Sequence, residues 1–421
     1  MKTRNQIVYL SLFVILILLQ LYLPSFKINV LIQIAALGFC AYDHDISFNK
    51  RFLNYTVPIG IILVVGCIGT FIYSYKFVPI SKDIFHFIKP LTGILLGYII
   101  FKKINNFKLF IRAVIIAAIL SACIHFYVLA FMVRFRGGIE DIREFTKDNF
   151  LELFALFFLI YFKKFEGSNI LFKKIYLRAA ILFLTVSCIT YFSRTMIIMW
   201  VVLMVSVYGL TKITTQTIRF FVICGISTGL LYLYLFSANI SRGKPGIEGF
   251  LYKIKMAPEE VFKTKIDRDN KADLWDHWRG YEAKRAIALM NSQPESYIFG
   301  TGMGSLVNLK FYAPLTGEPK GIRYISELHN GYIYILYKTG FIGILIYLFM
   351  LARWYGYIYK KFTLLNIVVS AIGLEYLVST VTISGIYNTR DAIIFILGGA
   401  LYYANSGENN LILQRSTNEQ H

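Results

Sequence analysis

Apolar side chains occur in long blocks with neither the 3.6-residue nor the two-residue alternation of a half-buried element, so the blocks are expected to be helices apolar all round. A bilayer core about 30 Å thick takes roughly 20 helical residues. On that measure twelve transmembrane helices are expected, at 7–23, 28–42, 57–75, 84–101, 109–133, 149–163, 174–192, 195–210, 218–236, 329–352, 364–382 and 388–404. The segments at 28–42 and 149–163 are short for a span, which leaves a re-entrant path open for each. From Ile175 to Leu210 the apolar run is interrupted only at Ser193-Arg194-Thr195. As one helix it would measure about 54 Å, so two helices with Arg194 at their junction are expected. The first run lacks a small-x-small cleavage pattern after Leu23-Pro24-Ser25-Phe26 and is read as an uncleaved span.

The pattern divides the chain into nine spans within 1–236, a large loop over 237–328, three spans within 329–404 and a tail over 405–421. The loop is too charged for a bilayer and too rich in Trp and Tyr for a linker. Within it, Asp273–Asn291 is expected to form one amphipathic helix with Leu274, Trp278, Tyr281 and Arg285 along one face. No internal repeat relates the first six spans to the last six.

Composition agrees with this pattern: 57% of the 421 residues are hydrophobic and 16% are charged, against roughly 25% charged in soluble proteins. Net charge is +20, which calls for anionic surroundings such as lipid headgroups or phosphate-bearing substrates. Nucleic acid is excluded as a partner, because the basic residues are scattered between spans and no recognition motif accompanies them. Lys and Arg near the span ends favour a cytoplasmic N-terminus and place the 237–328 loop on the opposite side of the membrane. Cys40, Cys67, Cys123, Cys188 and Cys224 all fall in apolar runs, where a thiol is a small hydrophobe. The histidines show no ligand spacing, so neither a metal site nor a cofactor is expected.

Several polar residues could carry chemistry, each with a plainer reading beside it. His329, where the loop enters the tenth span, can take a proton from an alcohol, or simply anchor the helix end beside Tyr332 and Tyr334. Arg194 is costly so near hydrocarbon unless it meets an anion, although it could snorkel to headgroups. Arg279 precedes Glu282 by three residues, the spacing of an ordinary helical ion pair. Asp267-Arg268-Asp269 imitates an Asp-x-Asp metal motif but reads better as a solvated loop. Gly300-Thr301-Gly302-Met303-Gly304 could cradle phosphate, or form a tight turn leading back to the membrane.

Taken together, these strings resemble the superfamily of O-antigen ligases and Wzy-type O-antigen polymerases. The likeness lies in Ser193-Arg194 after a long apolar run, Trp278-Arg279-Gly280-Tyr281-Glu282-Ala283, and Pro294 followed by Gly300-x-Gly302-x-Gly304. It continues in Glu327-x-His329-Asn330-Gly331-Tyr332 and Lys338-Thr339-Gly340-Phe341-Ile342-Gly343. The resemblance implies an all-α polytopic membrane protein with a GT-C-like fold and one large extracytoplasmic loop containing helices, in a bacterial inner membrane. It implies a donor oligosaccharide on undecaprenyl diphosphate and an acceptor that is a lipid-linked saccharide or the lipid A core. A chain-length regulator protein is a further implied partner. Arg194, Arg279 and His329 would be the catalytic residues, the two arginines holding the diphosphate and the histidine deprotonating the acceptor without a metal. Arg136, Lys284, Arg285 and Arg390 would assist in binding the same anion. Polymerase is the first expectation and ligase the alternative, with a flippase or other transporter as the reading from a different class.

Overall fold

The computed structural model describes residues 2–43, 47–132, 149–166, 172–241, 247–263, 265–267, 270–314 and 321–418. Nine helices come first: α1 (Lys2–Tyr22), α2 (Phe26–Asp43), α3 (Lys50–Tyr73), α4 (Phe77–Ile104), α5 (Phe107–Tyr127), α6 (Phe150–Glu166), α7 (Lys174–Thr190), α8 (Arg194–Val207) and α9 (Thr215–Ser237). An intervening unit follows, built from α10 (Ile247–Phe262), α11 (Lys271–Asp276), α12 (Trp278–Asn291), α13 (Ser296–Phe299) and an antiparallel hairpin, β1 (Val307–Ala313) with β2 (Ile322–Ile325). The last three helices are α14 (Gly331–Tyr355), α15 (Leu364–Thr382) and α16 (Ile393–Asn418).

A helix occupies most of each of the twelve expected apolar segments, the last beginning only at Ile393 rather than at 388, and the protein is an all-α polytopic membrane protein. Among the described residues, seven helices are long and apolar enough to cross a membrane: α1, α3, α4, α5, α9, α14 and α15. Shorter apolar stretches lie in α2, α8 and α16. The run through Arg194 does break, with Phe192 at positive φ and the Ser193 hydroxyl accepting from Met196 N at 3.2 Å to cap α8. At the centre, α4 packs against α16, α2, α3 and α1, while α14 lies against both α3 and α15. By contrast α9 is exposed along most of its length and is peripheral.

One expectation needs correction. The amphipathic helix is broken into α11 and α12 at His277, whose ring bonds the main-chain oxygen of Asp273 at 3.1 Å and its carboxylate at 2.9 Å. The anticipated face survives the break, because Leu274, Trp278 and Tyr281 form a small core with Leu309 and Ala313 of β1, a strand the sequence pattern did not suggest. The helices also hold charge in their interior: Glu375 of α15 is buried. Asp83 and Lys89 in α4, Glu152 in α6 and Lys338 in α14 are also buried. A buried charge persists only when paired or hydrogen-bonded, and Lys338 Nζ meets Asp83 Oδ2 at 2.5 Å and Ser305 O at 2.6 Å.

The glycine-rich segment is a structural joint. Gly340 (φ +66°) kinks α14 and frees the carbonyls of Tyr337 and Lys338, which accept from Thr301 N at 2.7 Å and Gly302 N at 3.2 Å. Met303 N bonds Gly66 O at 3.2 Å, and Gly304 N bonds Asp83 Oδ2 at 2.7 Å. With these amides engaged by the protein, the segment acts as the tight turn rather than as a phosphate cradle. A Cβ on Gly302 would lie 2.3 Å from Thr70 N, so only glycine fits beneath α3.

Candidate functional site

The end of α14 is built by the string that precedes it. Asn330 caps the helix by accepting from Ile333 N at 3.2 Å. Ser384 fastens the approach, its N–H bonding His329 O at 3.0 Å and its hydroxyl bonding Leu328 O at 3.0 Å. His329 is thereby held at a helix start with its side chain 54% exposed. Beneath it lies Glu282 of α12, 2% exposed, whose Oε2 accepts from His329 N at 3.1 Å and lies 2.9 Å from Nδ1. A carboxylate so placed fixes Nδ1 as the protonated nitrogen and leaves Nε2 as the basic one, the division of roles a proton-accepting imidazole needs.

The spacing of Arg279 and Glu282 suggested an ion pair between them, and the structure separates them. Arg279 instead donates from Nη1 to Glu260 Oε2 of α10 at 2.6 Å. Arg194, the first residue of α8, donates from Nη2 to both oxygens of the same carboxylate, at 3.0 and 3.1 Å, and from Nη1 to Lys253 O. Two guanidiniums from helices remote in sequence therefore converge on one carboxylate. Their planar forks suit phosphate oxygens equally well.

Of the other residues singled out in the sequence, Arg285 donates to Asn308 O of β1 at 3.0 Å and ties α12 to the hairpin. Lys284 is exposed on α12. Arg136 lies outside the described residues, as do Arg268 and Asp269 of the Asp-x-Asp string. Arg390 is half-buried in the wall of a cavity of about 400 Å³ that His329 also lines, together with Glu327, Ser384, Asn388 and Thr389. Burial works to raise the Glu327 carboxyl, but the His86 ring, Lys82 and Lys89 outweigh it and bring it down to about 2. Glu327 pairs with Lys82 at 3.0 Å. Among the described residues, no group of three or more His, Cys, Asp or Glu side chains gathers as a metal site would require.

Sequence reasoning overlooked Glu260 and the partnership of Glu282 with His329. Each pairing crosses from one helix to another element, so local spacing carries no signal of it. Lys89 and Asp83 could have been found as charges within otherwise apolar runs.

No curated protein matches the chain. Residues 179–348, the segment holding Arg194, Glu260, Arg279, Glu282 and His329, match the Wzy_C family model, O-antigen ligase, a likeness consistent with the superfamily of membrane glycosyltransferase-like ligases and polymerases.

Proposed function

We propose that the protein polymerises undecaprenyl-diphosphate-linked oligosaccharide repeats at the periplasmic face of a bacterial inner membrane. The observation that carries this reading is the arrangement along α12. Arg279 shares a carboxylate with Arg194, and one helical turn away Glu282 holds His329. An anion clamp thus adjoins an oriented base.

In this reading the donor diphosphate takes the place of the Glu260 carboxylate between the two guanidiniums. The acceptor hydroxyl gives its proton to His329 Nε2 and its oxygen attacks the anomeric carbon. The bond from that carbon to the phosphate oxygen breaks, its electron pair leaves with the diphosphate, and the configuration inverts. Negative charge grows on the leaving group, where fixed cations act most strongly. The guanidiniums do here what a divalent ion does in other phosphate chemistry, so turnover is expected to survive a chelator.

The description of the matching family model favours a second reading, ligase, in which the same steps deliver the chain to the lipid A core. Purified protein given a lipid-linked oligosaccharide and chelator, with no other protein, separates the two. Ladders of longer lipid-linked chains, absent with His329→Ala, support the polymerase. Product only after lipid A core is added would make the protein a ligase, and silence in both conditions would sink the glycosyl-transfer reading.

A further inference from the structure

The cavity beside His329 has an unusual wall. Three consecutive main-chain carbonyls, those of Tyr387, Asn388 and Thr389, are each drawn to a buried side chain of the helical bundle. His86 Nε2 of α4 lies 2.5 Å from Tyr387 O, Lys89 Nζ of α4 bonds Asn388 O, and Gln20 Nε2 of α1 donates to Thr389 O at 2.9 Å. Two residues on, Asp391 is fixed as well, accepting from Tyr376 OH at 2.5 Å and from Ile393 N at 2.8 Å. Asn388 Oδ1 closes a turn on Arg390 N at 3.3 Å. His86, Lys89 and Gln20 are each no more than 2% exposed. Placing such polar groups among helices is costly, and what they secure is the backbone of the short connection between α15 and α16, from the end of a single 3-10 turn at Tyr387 into a loop.

The outcome is a rigid wall carrying hydrogen-bonding side chains beside the candidate base. Asn388, Thr389 and Arg390 line one part of the cavity, with Ser384, Glu327 and His329 lining another. Among the described residues no carboxylate pairs with Arg390. Arg194 and Arg279 are absent from the lining, so the anion clamp and the cavity are separate places that meet near His329. A volume of about 400 Å³ is at the low end for small-ligand pockets and suits the end of a saccharide rather than a folded chain.

We propose that this cavity is the acceptor-sugar subsite, in which Arg390, Glu327, Asn388 and Thr389 bind the hydroxyl-rich end of a saccharide and present one hydroxyl to His329. The proposal rests on the reading of His329 as the base and adds what it acts on. It also moves Arg390 from the donor anion, where the sequence resemblance placed it, to the acceptor.

The test uses the full-length protein and the repeat oligosaccharide released by mild acid from the lipid-linked pool of the source cells. That oligosaccharide retains its accepting end but cannot donate. Its binding, measured without donor by ligand-observed NMR, is expected to weaken about 10- to 100-fold in Arg390→Gln, the loss of a charge-assisted hydrogen bond, and to fall between the two in Arg390→Lys. Inorganic diphosphate is expected not to displace it. Unchanged affinity in both variants, no binding to the wild type, or displacement by inorganic diphosphate would each overturn the assignment. If Arg390-dependent binding holds yet no transfer from lipid-linked donor follows, the subsite stands and the proposed enzymatic reading fails.

Discussion

The two halves of the candidate site are held in opposite ways. On one side His329 is finished before any substrate arrives: its helix is capped, its approach is fastened by Ser384, and a buried carboxylate sets its ring. On the other side Arg194 and Arg279 are assembled but occupied, because Glu260 fills the place that the proposed function gives to the donor anion. The first arrangement favours chemistry through preorganisation. The second suits exchange, since a carboxylate between two partly exposed guanidiniums holds them close together until, in the proposed reaction, a stronger anion displaces it. A base has to be aimed, whereas a clamp has to open.

Substitutions can break this contrast, and their effects should fall in order. His329→Ala is expected to cost the most, about 10²- to 10⁴-fold in kcat, measured as initial rate of chain extension; retained turnover would remove the base from the mechanism. Arg279→Ala should follow at about 10²- to 10³-fold, and an unchanged rate with unchanged donor binding would show that the clamp lies elsewhere. Glu282→Gln keeps the shape but loses the charge that aims the ring. We expect kcat to fall about 10- to 100-fold with donor KM unmoved and partial recovery in Glu282→Asp, whereas a rise in KM alone would contradict a positioning role. Glu260→Gln sharpens the comparison most and changes the rate least. Removing the competing carboxylate is expected to lower donor KM by up to a few-fold, the scale of a partly exposed ion pair. A rise in donor KM would mean that Glu260 serves the bound state instead.

Much of the scaffold was legible in the sequence because bilayer thickness imposes a length on every apolar run. The break at Arg194 followed from the same constraint, since no single span accommodates the run on both sides of it. The site was less so. Glu282 stands three residues from Arg279, and helical geometry alone recommended the wrong partner; the true one, His329, lies 47 residues on. Glu260 lies 66 residues from Arg194, and nothing local to either announces the other. The hairpin was missed because its inward residues Leu309 and Ala313 acquire a meaning only against Trp278 and Tyr281 of α12. The buried donors Gln20, His86 and Lys89 carry no signal of their shared role in the sequence, because their common target, a run of three carbonyls, takes shape only once the helices are packed.

The kink at Gly340 bears on how the molecule comes apart. Because Tyr337 O and Lys338 O accept from Thr301 N and Gly302 N, the intervening unit is stitched to the middle of α14 as well as to its end, and Thr70 of α3 adds a bond to Met303 O at 3.0 Å. Such cross-links join segments into one cooperative unfolding unit. The turn of helix that begins beside His329 therefore melts with the glycine turn rather than before it. On heating, loss of His329's geometry and release of the intervening unit from the helical bundle should coincide as one transition, with no partly opened form that keeps one and loses the other.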